Sequence, residues 1–158
     1  MNTTPSAVVI AVGTEFRRDD GVGPAVLAEL EKHDLAANIA LTRSDGEPTQ
    51  LLDAWTGVGV AVVVDAVMCE PSTPGRIHRT TLAGGSLMPN AASTHGLGVP
   101  EAVQLAEALD RAPRDLVVYA VEAGDLSFGV GLSEPVAQAV PEVVQQILAE
   151  FADSPCND

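Results

Sequence analysis

Three uninterrupted apolar runs constrain this chain more than any other feature: residues 7–12 (AVVIAV), 58–64 (VGVAVVV) and 116–121 (LVVYAV). A strand wetted on one face alternates apolar and polar residues. A run with no polar member suits a strand covered on both faces, as in a parallel sheet. Segments of helical period lie between them. Residues 22–32 place Val26, Leu27 and Leu30 at helical spacing, and Pro24 suits a first turn. Residues 49–55 form a short helix entered by Pro48. Residues 100–109 carry Ala102, Leu105, Ala106 and Leu109 on one face. Residues 134–151 close the chain with Val136, Val140, Val144, Ile147, Leu148 and Phe151. Pro141 inside that last segment is expected to kink or split it. Two further strands are read at 38–42 (NIALT) and 76–81 (RIHRTT). The second is β-branched and half polar, as edge strands are. Strands alternating with helices predict an α/β domain with a mostly parallel sheet of about five strands and helices on both faces. Residues 71–74 and 84–92 read as loops, and about 153–158 as a frayed polar tail. No repeat, low-complexity tract or linker divides residues 1–158, so one domain is expected.

Charge narrows the partners. The chain has 22 acidic and 8 basic residues among 158, a net charge of −14, and Lys32 is its one lysine. A nucleic-acid backbone or an anionic membrane calls for a basic face, and neither is expected as a partner. The longest apolar stretch, 57–64, is far short of the ~20 residues of a membrane span. Cys69 and Cys156 cannot make a disulfide framework, and no signal peptide is apparent, so a reducing cytoplasm is expected.

In open α/β sheets ligands bind beyond the carboxyl ends of the strands. The segments expected there are GTEFRRDDGVG (13–23), Asp65, STHG (93–96) and Glu122. The glycine-rich first loop invites a nucleotide reading. It lacks G-x-G-x-x-G, no G-K-S or G-K-T occurs, and acidic residues stand where phosphate would bind. Asp20 can be a helix cap, and Asp19 could serve equally. Asp65, directly after the second apolar run, is either a turn residue or a carboxylate held there for a cation. His95 is a loop histidine or a ligand. His33 suits a helix end, and His78 is expected to face solvent on the edge strand. Asp20, Asp65 and His95 together offer two carboxylates and an imidazole, a set suited to a divalent first-row metal with open positions. Cys69 with His95 could form a thiolate–base pair, but an inert, half-buried cysteine is the stronger reading. No G-x-S-x-G elbow, H-E-x-x-H or zinc-site spacing is present.

Five segments in order resemble one family, the hydrogenase maturation endopeptidases, which trim the C-terminal extension of nickel–iron hydrogenase large subunits. IAVGTEFRRDDGVG resembles its opening strand and G-N-x-x-x-x-D-D/E-G-x-G loop. DGEPTQLLDAW, VVVDAV, STHGLGVPEAVQLAEAL and VEAGDLSFGVGLSEPVAQAVPEVV resemble its later segments. The resemblance implies a three-layer αβα domain and places the family's metal ligands on Asp20, Asp65 and His95. It implies an endopeptidase that senses nickel already carried by a hydrogenase large-subunit precursor. Thr14 stands where family members usually have Asn, so a side-chain oxygen is kept and an amide donor lost. Glu122 resembles a family glutamate near the cleft and is given a supporting role. Asp19 and Glu15 are general-base candidates by position, with a solvated acidic loop as the other reading. Two rival functions remain open: a non-catalytic nickel-sensing binder of the precursor, and a flavodoxin-like nucleotide binder.

Overall fold

The computed structural model describes residues 6–35, 37–81, 91–93 and 99–152. His95, the 84–90 part of the expected loop and the tail from 153, with Cys156, lie outside the described residues. The strands are β1 (Ala7–Val12), β2 (Ile39–Ser44), β3 (Val60–Cys69), β4 (Ile77–Thr81), β5 (Ala91–Ser93) and β6 (Asp115–Glu122). The helices are α1 (Val22–Glu31), α2 (Pro48–Trp55), α3 (Val99–Ala108) and α4 (Glu134–Ala152), with a 3-10 turn at Arg18–Gly21 ahead of α1.

The sheet order is β2-β1-β3-β6-β4, with the short β5 added to β3. The first four strands run parallel, and β4 closes the edge antiparallel to β6. The apolar runs occupy the middle of this sheet, where both faces are covered. Even-numbered β1 residues Val8, Ile10 and Val12 pack on one side with Leu51, Trp55 and Ala102. Odd-numbered Val9 and Ala11 pack on the other with Val26, Leu30, Val140 and Ile147. Helices α2 and α3 thus cover one face, and α1 and α4 the other: the mostly parallel, helix-flanked α/β sheet expected from the sequence.

Four expectations are corrected. β3 does not end before Asp65 but runs on to Cys69, held by β6 on one edge and β5 on the other. Residues 91–93, expected as loop, form β5. Helix α4 is unbroken through Pro141; a proline costs a helix one backbone hydrogen bond, and Val136, Val140, Val144 and Ile147 bury an apolar stripe that holds the helix to the sheet. Leu109, expected on the buried face of its helix, lies past the end of α3 and is 51% exposed.

Gly23 sets how closely α1 approaches the sheet. A Cβ there would lie 2.7 Å from the Val12 carbonyl oxygen and 3.0 Å from that of Val64. Both obstacles are strand backbone, which cannot step aside as a side chain can. Gly23→Ala is expected to destabilise the fold by about 1–3 kcal/mol, although alanine favours helix by about 1 kcal/mol. A thermal melt checks this, and an unchanged or raised midpoint would contradict it.

Far from that end, Arg79 of β4 donates to both carboxylate oxygens of Glu150 on α4, at 2.7 and 3.1 Å. The hydroxyl of Tyr119 in β6 donates to the same carboxylate. Arg79, reinforced by Tyr119 and opposed by partial burial, holds the Glu150 carboxyl below its ordinary range. A depressed folded pKa contributes stability above the unfolded value, ~4.3 for Glu. That contribution is lost as pH falls through the lower folded value. In that acidic window Glu150→Gln is expected to flatten the fall of melting temperature with pH. Parallel curves for the two proteins would count against it.

Candidate active site

β1 ends at Gly13, whose φ of +124° lies in the region that favours glycine, and whose added Cβ would sit 2.1 Å from the Asp20 carbonyl oxygen. The loop therefore folds tightly back on itself and delivers Asp19 and Asp20 to the carboxyl end of β1. Both are fully buried. Asp20 does not cap α1: the cap position is Gly21, without a side-chain bond. Instead the Thr14 amide donates to Asp20 Oδ2 at 3.1 Å.

Asp19 is not a solvated loop residue. The amides of Gly124 and Asp125 each donate to its Oδ2 at 2.8 Å. The Ser133 amide donates to Oδ1 at 2.7 Å, and the Ser133 hydroxyl to Oδ2 at 2.8 Å. The Arg18 amide adds a bond to Gly129 O at 3.0 Å, and the Gly129 amide one back to Phe16 O at 3.0 Å. The two loops are one unit. Asp19 has become its clamp, and with its oxygens committed to these donors it is a poor general base. Glu15 is a surface residue paired with Arg43 at 2.7 Å, and that bond lowers its pKa.

Asp65 is 3% exposed on β3. The β1 pairing with β3 stops at Ala11↔Val64, and the β5 pairing begins at Val67↔Ser93. β6 runs along the opposite edge through Val67. Asp65 thus sits in the short interval between β1 and β5, on the edge that the Arg18–Gly21 turn packs against. Chain order places the sheet's switch point here, since β1 leads through α1 on one face outward to β2, whereas β3 leads, past β4 and β5, through α3 on the other face to β6. Ligands of open α/β sheets bind at such a crevice. The fold brings Asp20, in the turn that follows β1, and Asp65, within β3, to it; His95 lies outside the described residues.

A second polar group stands beside this crevice. His78 does not face solvent. Its Nε2 is 2.6 Å from Glu122 Oε2, and its side chain is 27% exposed. Glu122 is buried at the end of β6, and the Thr73 amide donates to its Oε1 at 2.7 Å. Burial would raise the Glu122 carboxyl, but Thr73, His78 and the Arg76 charge outweigh it and hold the group below its usual range. Cys69, half-buried, is pushed up by burial and then by the Glu122 charge. That is the opposite of an activated thiolate. The strand register could have revealed this group, because His78 stands opposite Ala120, two residues before Glu122.

Around the crevice the joined loops expose apolar side chains: Phe16 at 62%, Phe128 at 89% and Val130 at 67%. No helix among the described residues is long and apolar enough to cross a membrane.

Comparison with known proteins follows the same architecture. The family model described as hydrogenase maturation protease matches residues 24–150. The hydrogenase maturating endopeptidase HybD from E. coli superposes with a TM-score of 0.78 at 20% identity, over 94% of this chain and 93% of that one. The NiFe hydrogenase maturation protease HybD from Thermococcus kodakarensis gives 0.74 at 22%, over 93% and 99%. HycI from Thermococcus kodakarensis KOD1 gives 0.69 at 16%, over 94% of each chain. At such identities the likeness to these structures is one of fold. No curated protein sequence matches the chain.

Proposed function

The chain belongs to the hydrogenase maturation protease family, and from that membership we propose that it is a nickel-dependent endopeptidase acting on a nickel–iron hydrogenase large-subunit precursor. It removes the C-terminal extension after nickel has been inserted. The observation that carries this reading is the pair of buried aspartates, Asp20 and Asp65, delivered to the switch point of the sheet.

Nickel belongs to the substrate in this scheme. Asp20, Asp65 and His95 are the donors offered to it, and two carboxylates with one imidazole suit a first-row divalent ion while leaving positions for the precursor's own ligands. Such an ion supplies Lewis acidity, polarising the scissile carbonyl or activating a water. The chain's residues hold the pose. The Thr14 amide orients one Asp20 oxygen. Asp65 rides on the central strand, and the Asp19 clamp fixes the loop that carries its neighbour. The exposed Phe16, Phe128 and Val130 suit a protein substrate, since apolar rims of this kind commonly mark protein contacts.

Incubation of the protein with nickel-loaded precursor, followed by intact-mass measurement, tests the reading. A precursor shortened at its C-terminus is expected, with nickel-free precursor left uncut. A stable complex containing full-length, nickel-loaded precursor would replace the protease with a non-catalytic binder.

A further inference from the structure

Cys69, His78 and Glu122 come from three neighbouring strands, β3, β4 and β6. One potential ligand atom from each lies within 4.8 Å of the other two. The register explains the meeting. Glu122 stands opposite Val67, two residues before Cys69, and His78 stands opposite Ala120, two residues before Glu122. Steps of two keep side chains on one face of a sheet, so all three project to the α2 and α3 side. Glu122 is already oriented, with Oε1 held by the Thr73 amide and Oε2 directed at His78.

We propose that Cys69, His78 and Glu122 form a binding site for a thiophilic divalent cation of the zinc or cobalt class, separate from the Asp20–Asp65 pair. A thiolate, an imidazole nitrogen and a carboxylate oxygen are the donors such ions take, with bonds of ~2.0–2.3 Å and donor atoms therefore ~3.3–3.8 Å apart in a tetrahedron. The His78–Glu122 pair, now at 2.6 Å, would open to that spacing, with the thiol already within 4.8 Å of both. On binding, metal–sulfur, metal–nitrogen and metal–oxygen bonds form, the S–H bond of Cys69 breaks, and its proton leaves to solvent. His78 ligates as the neutral ring, and nothing is oxidised or reduced. Three protein donors leave a fourth position for water or an incoming ligand. The alternative use of these groups, a thiol nucleophile with His78 as its base, fits poorly: the imidazole is engaged by Glu122, and the thiol faces a carboxylate that disfavours its anion.

Cobalt(II) alone, added to the full chain under reducing conditions, is the probe. A thiolate-to-cobalt charge-transfer band saturating at one ion per chain is expected, with zinc displacing the cobalt. Cys69→Ser should abolish the band and Cys156→Ser should keep it. His78→Ala and Glu122→Gln should each weaken cobalt binding by about tenfold or more. His78 lies on an edge strand and serves if the cysteine variant folds poorly by circular dichroism. Asp65→Asn should retain the band, which separates this site from the proposed nickel-facing one. No band at saturating cobalt, or a band that survives Cys69→Ser, overturns the proposal. Loss of the band in Asp65→Asn would merge the two sites and overturn it equally.

Discussion

Asp65→Asn is expected to slow precursor processing by about a thousandfold or more, and Asp20→Asn and His95→Ala to do the same. Removing one member of a cooperating catalytic set commonly costs that much. The asparagine substitutions nearly preserve shape, so β3 and the Arg18–Gly21 turn can keep their packing. What each removes is a negative oxygen facing the place where the precursor's nickel would arrive. Stability should change modestly, because no large volume is lost. Rates come from gel or mass measurements of precursor over time, and folding from thermal melts. If two of the three variants process at near wild-type rates, the assigned site is wrong.

The second large effect is on stability. Asp19→Ala is expected to destabilise the protein by roughly 2–4 kcal/mol, through the loss of several hydrogen bonds to a charged acceptor, offset in part by water. Four donors, the amides of Gly124, Asp125 and Ser133 and the Ser133 hydroxyl, converge on this one carboxylate. Without it, three backbone N–H groups lose a charged acceptor; Gly124 and Asp125 are exposed and Ser133 is half-buried, so water replaces it only in part, and a donor that stays unsatisfied costs about 1–3 kcal/mol. Asp19→Asn should also be costly, because its amide group presents donors to donors. Ser133→Ala removes one donor and leaves the acceptor in use, so a loss of only about 1 kcal/mol is expected. Urea unfolding midpoints at constant slope decide the matter. An Asp19→Ala protein within 1 kcal/mol of wild type by that measure would show that the clamp is not stabilising.

The sheet was legible because its central strands are buried on both faces, and burial leaves an unmistakable run of Val, Ile, Leu and Ala. The extent of β3 was not. A carboxylate at 65 looks like a terminator to any reading of hydropathy. In the structure Asp65 belongs to a strand that continues because β5 and β6 supply its next ladder bonds. Asp20 and Asp65 could be picked out because chain order alone puts the ends of β1 and β3 at the crevice. Asp19 could not be told from its neighbour, since its four donors lie 105–114 residues away in sequence. His78 was misjudged for the same reason. Its strand was rightly placed at the edge, but the acid that turns it inward belongs to β6, 44 positions later. Pro141 was expected to kink or split the last helix; the split does not occur, and the apolar stripe of α4 stays buried on both sides of it.

The Asp19 clamp also sets an order of events during synthesis. The ribosome delivers β1, its loop and α1 early, yet the donors that hold this loop reside at 124–133, beyond β6. Until that stretch has emerged, Asp19 lacks these four donors, and the loop carrying Asp20 is held only by its local bonds. Local pieces of the domain can form in sequence, but this contact spans most of the chain and closes late, as long-range contacts do. The crevice is therefore assembled only when nearly the whole polypeptide is available, so a nascent chain still short of Ser133 has no finished crevice to offer a protein substrate.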